Sequence, residues 1–302
     1  MSLIFVFVDG VGLGSHDRNN PFVTEALPAF RWMTEGQPFT ASLHPVTNNG
    51  HLFTSLDACL GIEGLPQSGT GQVTLFTGIN AAAELGRHFG PFPHSTIRYL
   101  LDENSIFKRF HDKKASCHFM NAFPKVFFDY AEQKNRWSTT TLMTKKAGLP
   151  LNSIVDILDE RAITAEITQE AWRNRLALDV PLITEKNAAQ RVLNIADEYD
   201  IVLLEYYLTD KAGHDRKPEY ATDVLTRLDR LLGSLMQSVS KNGHTLLLTS
   251  DHGNLEDLST RSHTRNRVPL FVMGTGSEMF YRAESIQDVT PLCMEWYGSF
   301  VR

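Results

Sequence analysis

Three aspartates stand where apolar runs end. Asp9 follows Leu3-Ile4-Phe5-Val6-Phe7-Val8, Asp210 lies a few residues beyond Ile201–Tyr207, and Asp251 follows Thr245-Leu246-Leu247-Leu248-Thr249. Each later aspartate has a histidine at ligand spacing. Asp210 and His214 read Asp-x-x-x-His, which on a helical turn puts both side chains on one face. Asp251 and His252 are adjacent, and the Gly253-Asn254 turn after them leaves both free to point at an ion. His263 precedes a further apolar run at Val268–Met273. Taken singly, such an aspartate is most simply a loop or helix cap and such a histidine a surface or hydrogen-bonded residue. Taken together, Asp9, Asp210, His214, Asp251, His252 and His263 suggest a centre for divalent metal ions. Carboxylate and imidazole donors in mixture suit zinc or manganese better than calcium or magnesium.

A second segment offers a nucleophile. Pro66-Gln67-Ser68-Gly69-Thr70-Gly71-Gln72 leads into an apolar helical stretch that closes at Thr77-Gly78. Glycines let backbone approach a ligand, and a helix N-terminus presents unpaired N–H groups to an anion. Ser68 and Thr70 are both candidates, and either could equally be a plain helix cap.

These residues need a scaffold that carries them to one place. The apolar runs at Leu3–Val8, Ile201–Tyr207 and Thr245–Thr249 read as buried parallel strands, with Val268–Met273 a fourth and Ala115–Met120 a weaker fifth. Val224, Leu228, Leu231, Leu235 and Val239 recur at helical spacing, with Pro218 tolerated near the start; Ala188–Tyr199 and Thr96–Phe110 are further predicted helices. Alternating strands and helices predict an α/β fold with a mainly parallel central sheet and helices on both faces. Ligands of such sheets bind beyond the carboxyl ends of the strands, where all three aspartates are delivered. The stretch from about 91 to 181 is less regular and is expected to be partly core and partly a small lid within one domain spanning 1–302.

Composition narrows the function classes. The chain has 302 residues, 42% hydrophobic and 21% charged, an ordinary globular balance. A net charge of −6 without basic clusters argues against nucleic acid. An acidic enzyme still takes a phosphate ester when metal ions supply the local positive charge. Cys59, Cys117 and Cys293 show no Cys-x-x-Cys spacing and suggest reduced thiols in a cytoplasmic protein. No apolar run is long enough to span a membrane, and the N-terminal run is too short for a secretory signal. Oligomeric state is not legible.

The residues resemble the alkaline phosphatase superfamily, most closely its cofactor-independent phosphoglycerate mutase and phosphopentomutase branch. Asp251-His252-Gly253-Asn254-x-Glu256 resembles that branch's Asp-His-Gly-Asn-x-Glu, and His263-Thr264-x-Asn266-x-Val268-Pro269 its His-Thr-x-Asn-x-Val-Pro. Asp210-x-x-Gly213-His214 and Asp9-Gly10 match in the same order. In several branches the nucleophile stands nine residues before a closing small-residue–Gly pair, and counting back from Thr77-Gly78 gives Ser68. The resemblance implies one metal on Asp210, His214 and His263. A second would sit on Asp9, Asp251, His252 and the Ser68 oxygen. Two ions roughly 4 Å apart stabilise the attacking and leaving oxygens of an in-line displacement, and metal coordination activates a serine hydroxyl. A phosphoserine intermediate, cleared by water, is the implied course.

The chain also departs from that branch. Its mutases carry a large inserted domain whose arginines and lysine grip the substrate, whereas only 141 residues separate Ser68 from Asp210 here. The branch's Asn-Ser-Glu-Val-Gly-His is replaced by Gln67-Ser68-Gly69-Thr70-Gly71-Gln72. Hydrolysis of a small phosphate mono- or diester is therefore the leading expectation. A phosphomutase and a non-catalytic metal-binding protein are the alternatives. Arg87 and His88 near the nucleophile helix are candidate substrate contacts, and Arg136-Trp137 weaker ones. His44, His51, His94 and His118 lack ligand spacing and are expected to be structural.

Overall fold

A computed structural model describes residues 1–48, 50–239 and 241–300. Seven strands form one sheet: β1 (Leu3–Val8), β2 (Val46–Asn48), β3 (His51–Leu56), β4 (Cys117–Phe119), β5 (Ile201–Tyr206), β6 (Thr245–Thr249) and β7 (Val268–Met273). Their order is β2-β3-β7-β6-β1-β5-β4. The block β6-β1-β5-β4 is parallel. On its flank β7 runs antiparallel to both β6 and β3, and β2 antiparallel to β3. The sheet is thus mainly parallel at its centre, as expected, but Val268–Met273, expected as a fourth parallel strand, is antiparallel: no crossover helix separates it from β6, so the chain returns directly beside that strand.

The continuous apolar runs follow from burial on both faces. Side chains alternate across a strand, so Leu3, Phe5 and Phe7 enter one hydrophobic layer while Ile4, Val6 and Val8 enter the other. Ile201 and Leu203 are likewise separated from Val202, Leu204 and Tyr206. The first layer is closed by helices Ser68–Thr77, Ile106–Asp112, Thr139–Lys146 and Val289–Phe300. The second is closed by helices Glu185–Ala196 and Pro218–Val239, whose apolar stripes bury Val192, Leu193, Leu225, Leu228 and Leu232.

One local expectation changes. The single helix expected over Thr96–Phe110 is a 3-10 turn at Ser95–Ile97 and two short helices, Tyr99–Asn104 and Ile106–Asp112. Ser105 breaks the run with extended backbone (ψ 150°), and its Oγ accepts from Lys108 N at 3.4 Å, capping the next helix. Within the less regular 91–181 stretch, the polar run Ser138–Thr141 opens the helix Thr139–Lys146, with Ser138 as N-cap. β-Branched threonines are poor helix formers. Burial of Leu142 and Met143 against the first layer outweighs that preference, and Thr144 Oγ1 donates to Thr140 O at 2.7 Å. The rest of the 91–181 stretch builds a small separate cluster of Ala122, Ile157, Ala162, Trp172 and Val180.

Candidate metal centre and active site

The parallel register pairs Val8 with Tyr206 and Phe7 with Thr249, so β1, β5 and β6 end at one edge. Asp9 is the next residue after β1, Asp251 stands in the turn after β6, and Asp210 lies in the first turn of the helix Leu208–Asp215 after β5. His214 is one turn further along that helix, so the Asp-x-x-x-His spacing does share a face. Gly10 has a left-handed φ of +69°, and a Cβ there would fall 2.7 Å from Asp210 Oδ1, so only glycine lets β1 turn away this close to the ligand.

The six expected ligands fall into two groups of three. In each group the donor atoms lie within 4.8 Å of one another. In the first, His214 Nε2 is 3.3 Å from Asp210 Oδ2, His263 Nε2 is 3.5 Å from Asp210 Oδ1, and the two Nε2 atoms are 3.1 Å apart. In the second, His252 Nε2 is 3.3 Å from Asp9 Oδ1 and 3.5 Å from Asp251 Oδ2. Donors about 2.1 Å from a tetrahedral ion stand about 3.4 Å from each other, which is the spacing observed. The proton positions agree. His214 Nδ1 lies 2.8 Å from Arg261 O and His263 Nδ1 2.7 Å from Pro66 O. A carbonyl accepts only, so both rings carry their proton on Nδ1 and aim two Nε2 lone pairs at the same point. Asp9 Oδ1 and Asp251 Oδ2 are buried with no hydrogen-bond partner. Buried orphan carboxylate oxygens are costly unless a cation takes them, so the residues fit a pair of divalent ions.

The electrostatics show the same demand for positive charge. Burial pushes the Asp9 carboxyl well above its ordinary range, and the neighbouring Asp251 and Asp210 add to it. Burial also raises Asp251, opposed by His252 and reinforced by Asp210. Burial disfavours a charged His252, yet Asp251, Asp9 and Asp210 outweigh it and push the imidazole up to about 10. His263, stacked 3.8 Å from His252, is pushed down to about 4 by burial and by that neighbouring charge. Divalent ions would supply the charge that His252 otherwise carries and leave it the neutral ligand that coordination needs.

Ser68 is the first residue of the helix Ser68–Thr77 and is not its cap; Gln67 holds that position. Its hydroxyl is buried, 2.9 Å from His252 Nε2. Gly71, one turn on, lets this helix press against the Asp251 turn, where a Cβ would lie 2.9 Å from Asp251 O. Thr70 Oγ1 instead accepts from Phe89 N at 3.1 Å and lies 3.3 Å from Gln67 O, so it is committed to the local backbone.

Residues whose roles the sequence did not disclose hold these ligands in place. Glu256 accepts from Gly12 N (2.8 Å), Asn254 N (2.7 Å), Asn266 Nδ2 (3.0 Å) and Thr264 Oγ1. One carboxylate thereby ties the loop after β1 to the Asp251 turn and to the loop carrying His263. Asn254 Nδ2 donates to Asp210 Oδ1 at 2.6 Å, and Gln72 Nε2 to Asp9 Oδ2 at 3.0 Å. Glu256, Asn254, Thr264 and Asn266 sit within the matched motifs; Gln72 carried no signal beyond its place in the nucleophile segment. Glu205 is a second omission. It is the penultimate residue of β5, is buried, accepts from Thr140 Oγ1 at 2.7 Å, and burial pushes its carboxyl up to about 7. A carboxylate inside an apolar strand run is its mark in the sequence.

Ser68, Asp9, Gln72, Glu205 and Asp210 form one wall of a cavity of about 500 Å³. Arg87 and His88 do not line it. The Arg87 guanidinium is exposed, 5.8 Å from the Phe89 ring, and burial lowers the half-buried His88 imidazole. Arg136 is exposed beside Phe92 at 5.8 Å, while Trp137 is buried beneath Lys145 Nζ at 4.0 Å. His51 Nε2 and His118 Nε2 each face a backbone carbonyl, Met33 O and Arg161 O, as structural histidines do. Among the described residues no helix is long and apolar enough to cross a membrane.

Residues 179–298 match the family model of the Metalloenzyme superfamily. A 2,3-bisphosphoglycerate-independent phosphoglycerate mutase from Pyrococcus abyssi is 26% identical over 125 residues, covering 37% of this chain and 30% of that protein. One from Acetivibrio thermocellus is 33% identical over 108 residues, covering 33% of this chain and 21% of the relative. The matched stretch thus spans less than a third of either mutase. Among solved structures, a Pyrococcus horikoshii protein superposes with a TM-score of 0.61 at 14% identity, over 100% of this chain and 98% of its own. A cold-active alkaline phosphatase from Shewanella sp. superposes with a TM-score of 0.57 at 12% identity, over 98% and 99% of the two chains. At these identities the structural likeness shows a shared fold. The matched family model covers the stretch that carries Asp210, His214, Asp251, His252 and His263, and the fold around that stretch is alkaline phosphatase-like.

Proposed function

We propose that the protein is a two-metal phosphoester hydrolase that works through a phosphoserine on Ser68. The observation that carries this reading is the Ser68 hydroxyl, buried 2.9 Å from His252 Nε2 and opening with Asp9 and Asp210 into one cavity. Asp210, His214 and His263 would hold one ion and Asp9, Asp251 and His252 the other, with zinc or manganese favoured by the donor set. When bound, the ions supply Lewis-acid charge to the phosphoryl group and lower the pKa of the serine hydroxyl. The chain's own residues do the rest. The start of the helix Ser68–Thr77 fixes Ser68 Oγ at the cavity wall; Thr70 N already donates to Phe89 O and Gly71 N to Gln67 O, so the N–H groups of Ser68 and Gly69 are the ones left to favour a developing anion. Gln72 orients Asp9, and Glu256 holds the three ligand-bearing loops in register. Attack of Ser68 Oγ on phosphorus breaks the ester bond and releases the alcohol; water then cleaves the phosphoserine and frees phosphate and Ser68.

Purified protein with manganese or zinc, offered generic phosphate mono- and diesters, should release alcohol in excess of enzyme. Acid quenching should trap phosphate on the peptide carrying Ser68. Full turnover by Ser68→Ala would overturn the assignment. The mutase relatives favour a second reading, phosphoryl transfer within a phosphoglycerate or phosphopentose. Its mark would be isomerised ester without free phosphate.

A further inference from the structure

We propose that the cavity beside Ser68 selects phosphate esters whose leaving group is apolar, a proposal that rests on the hydrolase reading above. The wall facing the catalytic side comes from the 91–181 stretch and includes Phe92, Phe123, Phe127, Trp172 and Leu176. Phe92, Phe123 and Phe127 are only half-buried, and Leu176 is 42% exposed. Phe123 and Phe127 stack with centroids 4.4 Å apart at 28°. Packed aromatics line up this way in a core, but here they stop at an open space that also touches Ser68. A small-molecule site lined so is built to remove an apolar group from water.

The charged lining sharpens the choice. Arg175 is the one Lys or Arg among the lining residues, and it is exposed at the rim. The carboxylates Glu166 and Glu205 line the same space. An anionic leaving group, such as one bearing a second carboxylate or phosphate, would find only the exposed Arg175 as a basic donor and would face two carboxylates. A cationic leaving group would meet Arg175 at the entrance. Glu166 accepts from Ala171 N at 3.0 Å and Glu205 from Thr140 Oγ1, so each carboxylate is already partly engaged by the protein. A neutral ring or alkyl chain meets no unpaired partner.

The test uses the full chain loaded with manganese or zinc and pairs of non-hydrolysable phosphonates. 2-Phenylethylphosphonate should bind roughly tenfold or more tightly than ethylphosphonate by calorimetry, the ratio expected for burying one phenyl group. The corresponding phosphates, whose alcohols are similar leaving groups, should differ in kcat/KM in the same direction. Phe127→Ala and Leu176→Glu should narrow both ratios, and Leu176 is exposed enough that its replacement should not threaten folding. Equal binding of the two phosphonates, no binding of either, or tighter binding of 3-phosphoglycerate or of a trimethylammonium analogue would overturn the proposal. Retained binding preference with no turnover of any ester would instead count against the hydrolase reading.

Discussion

Glu256→Ala is the most demanding test of how the site is held together. The wild-type carboxylate accepts four hydrogen bonds from three loops: Gly12 N at 2.8 Å, Asn254 N at 2.7 Å, Asn266 Nδ2 at 3.0 Å, and Thr264 Oγ1. Hydrogen bonds to a charged acceptor are worth about 1.5–3 kcal/mol each, and removing the acceptor strands its donors. The donors act as one unit, so their contributions do not add, and a loss of about 4 kcal/mol is expected rather than the full sum. At roughly 2–4 °C per kcal/mol for a large domain, the midpoint of thermal unfolding should fall by about 10 °C. The loop carrying His263 should loosen as well, so metal affinity should fall at the Asp210–His214–His263 group. Glu256→Gln keeps the shape but turns one donor toward Thr264 or Asn266, and should lose about half as much. Urea unfolding and metal analysis of both variants, run side by side, measure these effects. A Glu256→Ala protein within about 1 kcal/mol of wild type and holding its full metal complement would refute the reasoning.

Three further outcomes follow from the site. Ser68→Ala should lose at least about 10³-fold in kcat while still binding both metals, the second more weakly because Asp9, Asp251 and His252 remain but the serine oxygen is gone; unchanged turnover per bound ion would contradict it. Chelation should destabilise the wild type, because ions at about 1,000 times their dissociation constant contribute about 4 kcal/mol per site; an unfolding midpoint that ignores chelator would show that the native fold holds no such ions. In chelated protein, burial pushes the Glu205 carboxyl up to about 7 from 4.5. The folded state then binds more protons than the unfolded one, so stability is full below about pH 4.5 and declines as pH rises through about 7. Glu205→Gln should flatten that decline, and identical pH–stability curves would show that Glu205 ionises freely.

Much of this was legible because the fold buries its strands on both faces. Leu3–Val8 and Thr245–Thr249 are unbroken apolar runs for that reason, and the aspartates at their ends are where parallel sheets place ligands. The candidate pairs Asp210–His214 and Asp251–His252 were legible because each is local in sequence, while the division into two groups with Asp9 and His263 came from the family resemblance. What escaped was set by tertiary contact. Strand β3 reads His51-Leu52-Phe53-Thr54-Ser55-Leu56, with little to mark it until β7 pairs with it. The threonines at 139–141 are helical because the helix packs against the first hydrophobic layer. Arg87 and His88 are close to the nucleophile segment in sequence but do not line the cavity. Its apolar wall is assembled from residues more than eighty positions apart, Phe92 to Leu176, with no shared motif.

Elemental analysis of the purified chain, as isolated and after loading with zinc or manganese, tests the central claim most directly. Two divalent ions per chain are expected. Asp251→Asn and Asp210→Asn should each lower the count by one, and the double variant should bind none. A wild-type chain that takes up fewer than two ions after loading, or an unchanged count in either single variant, would contradict the two-metal centre.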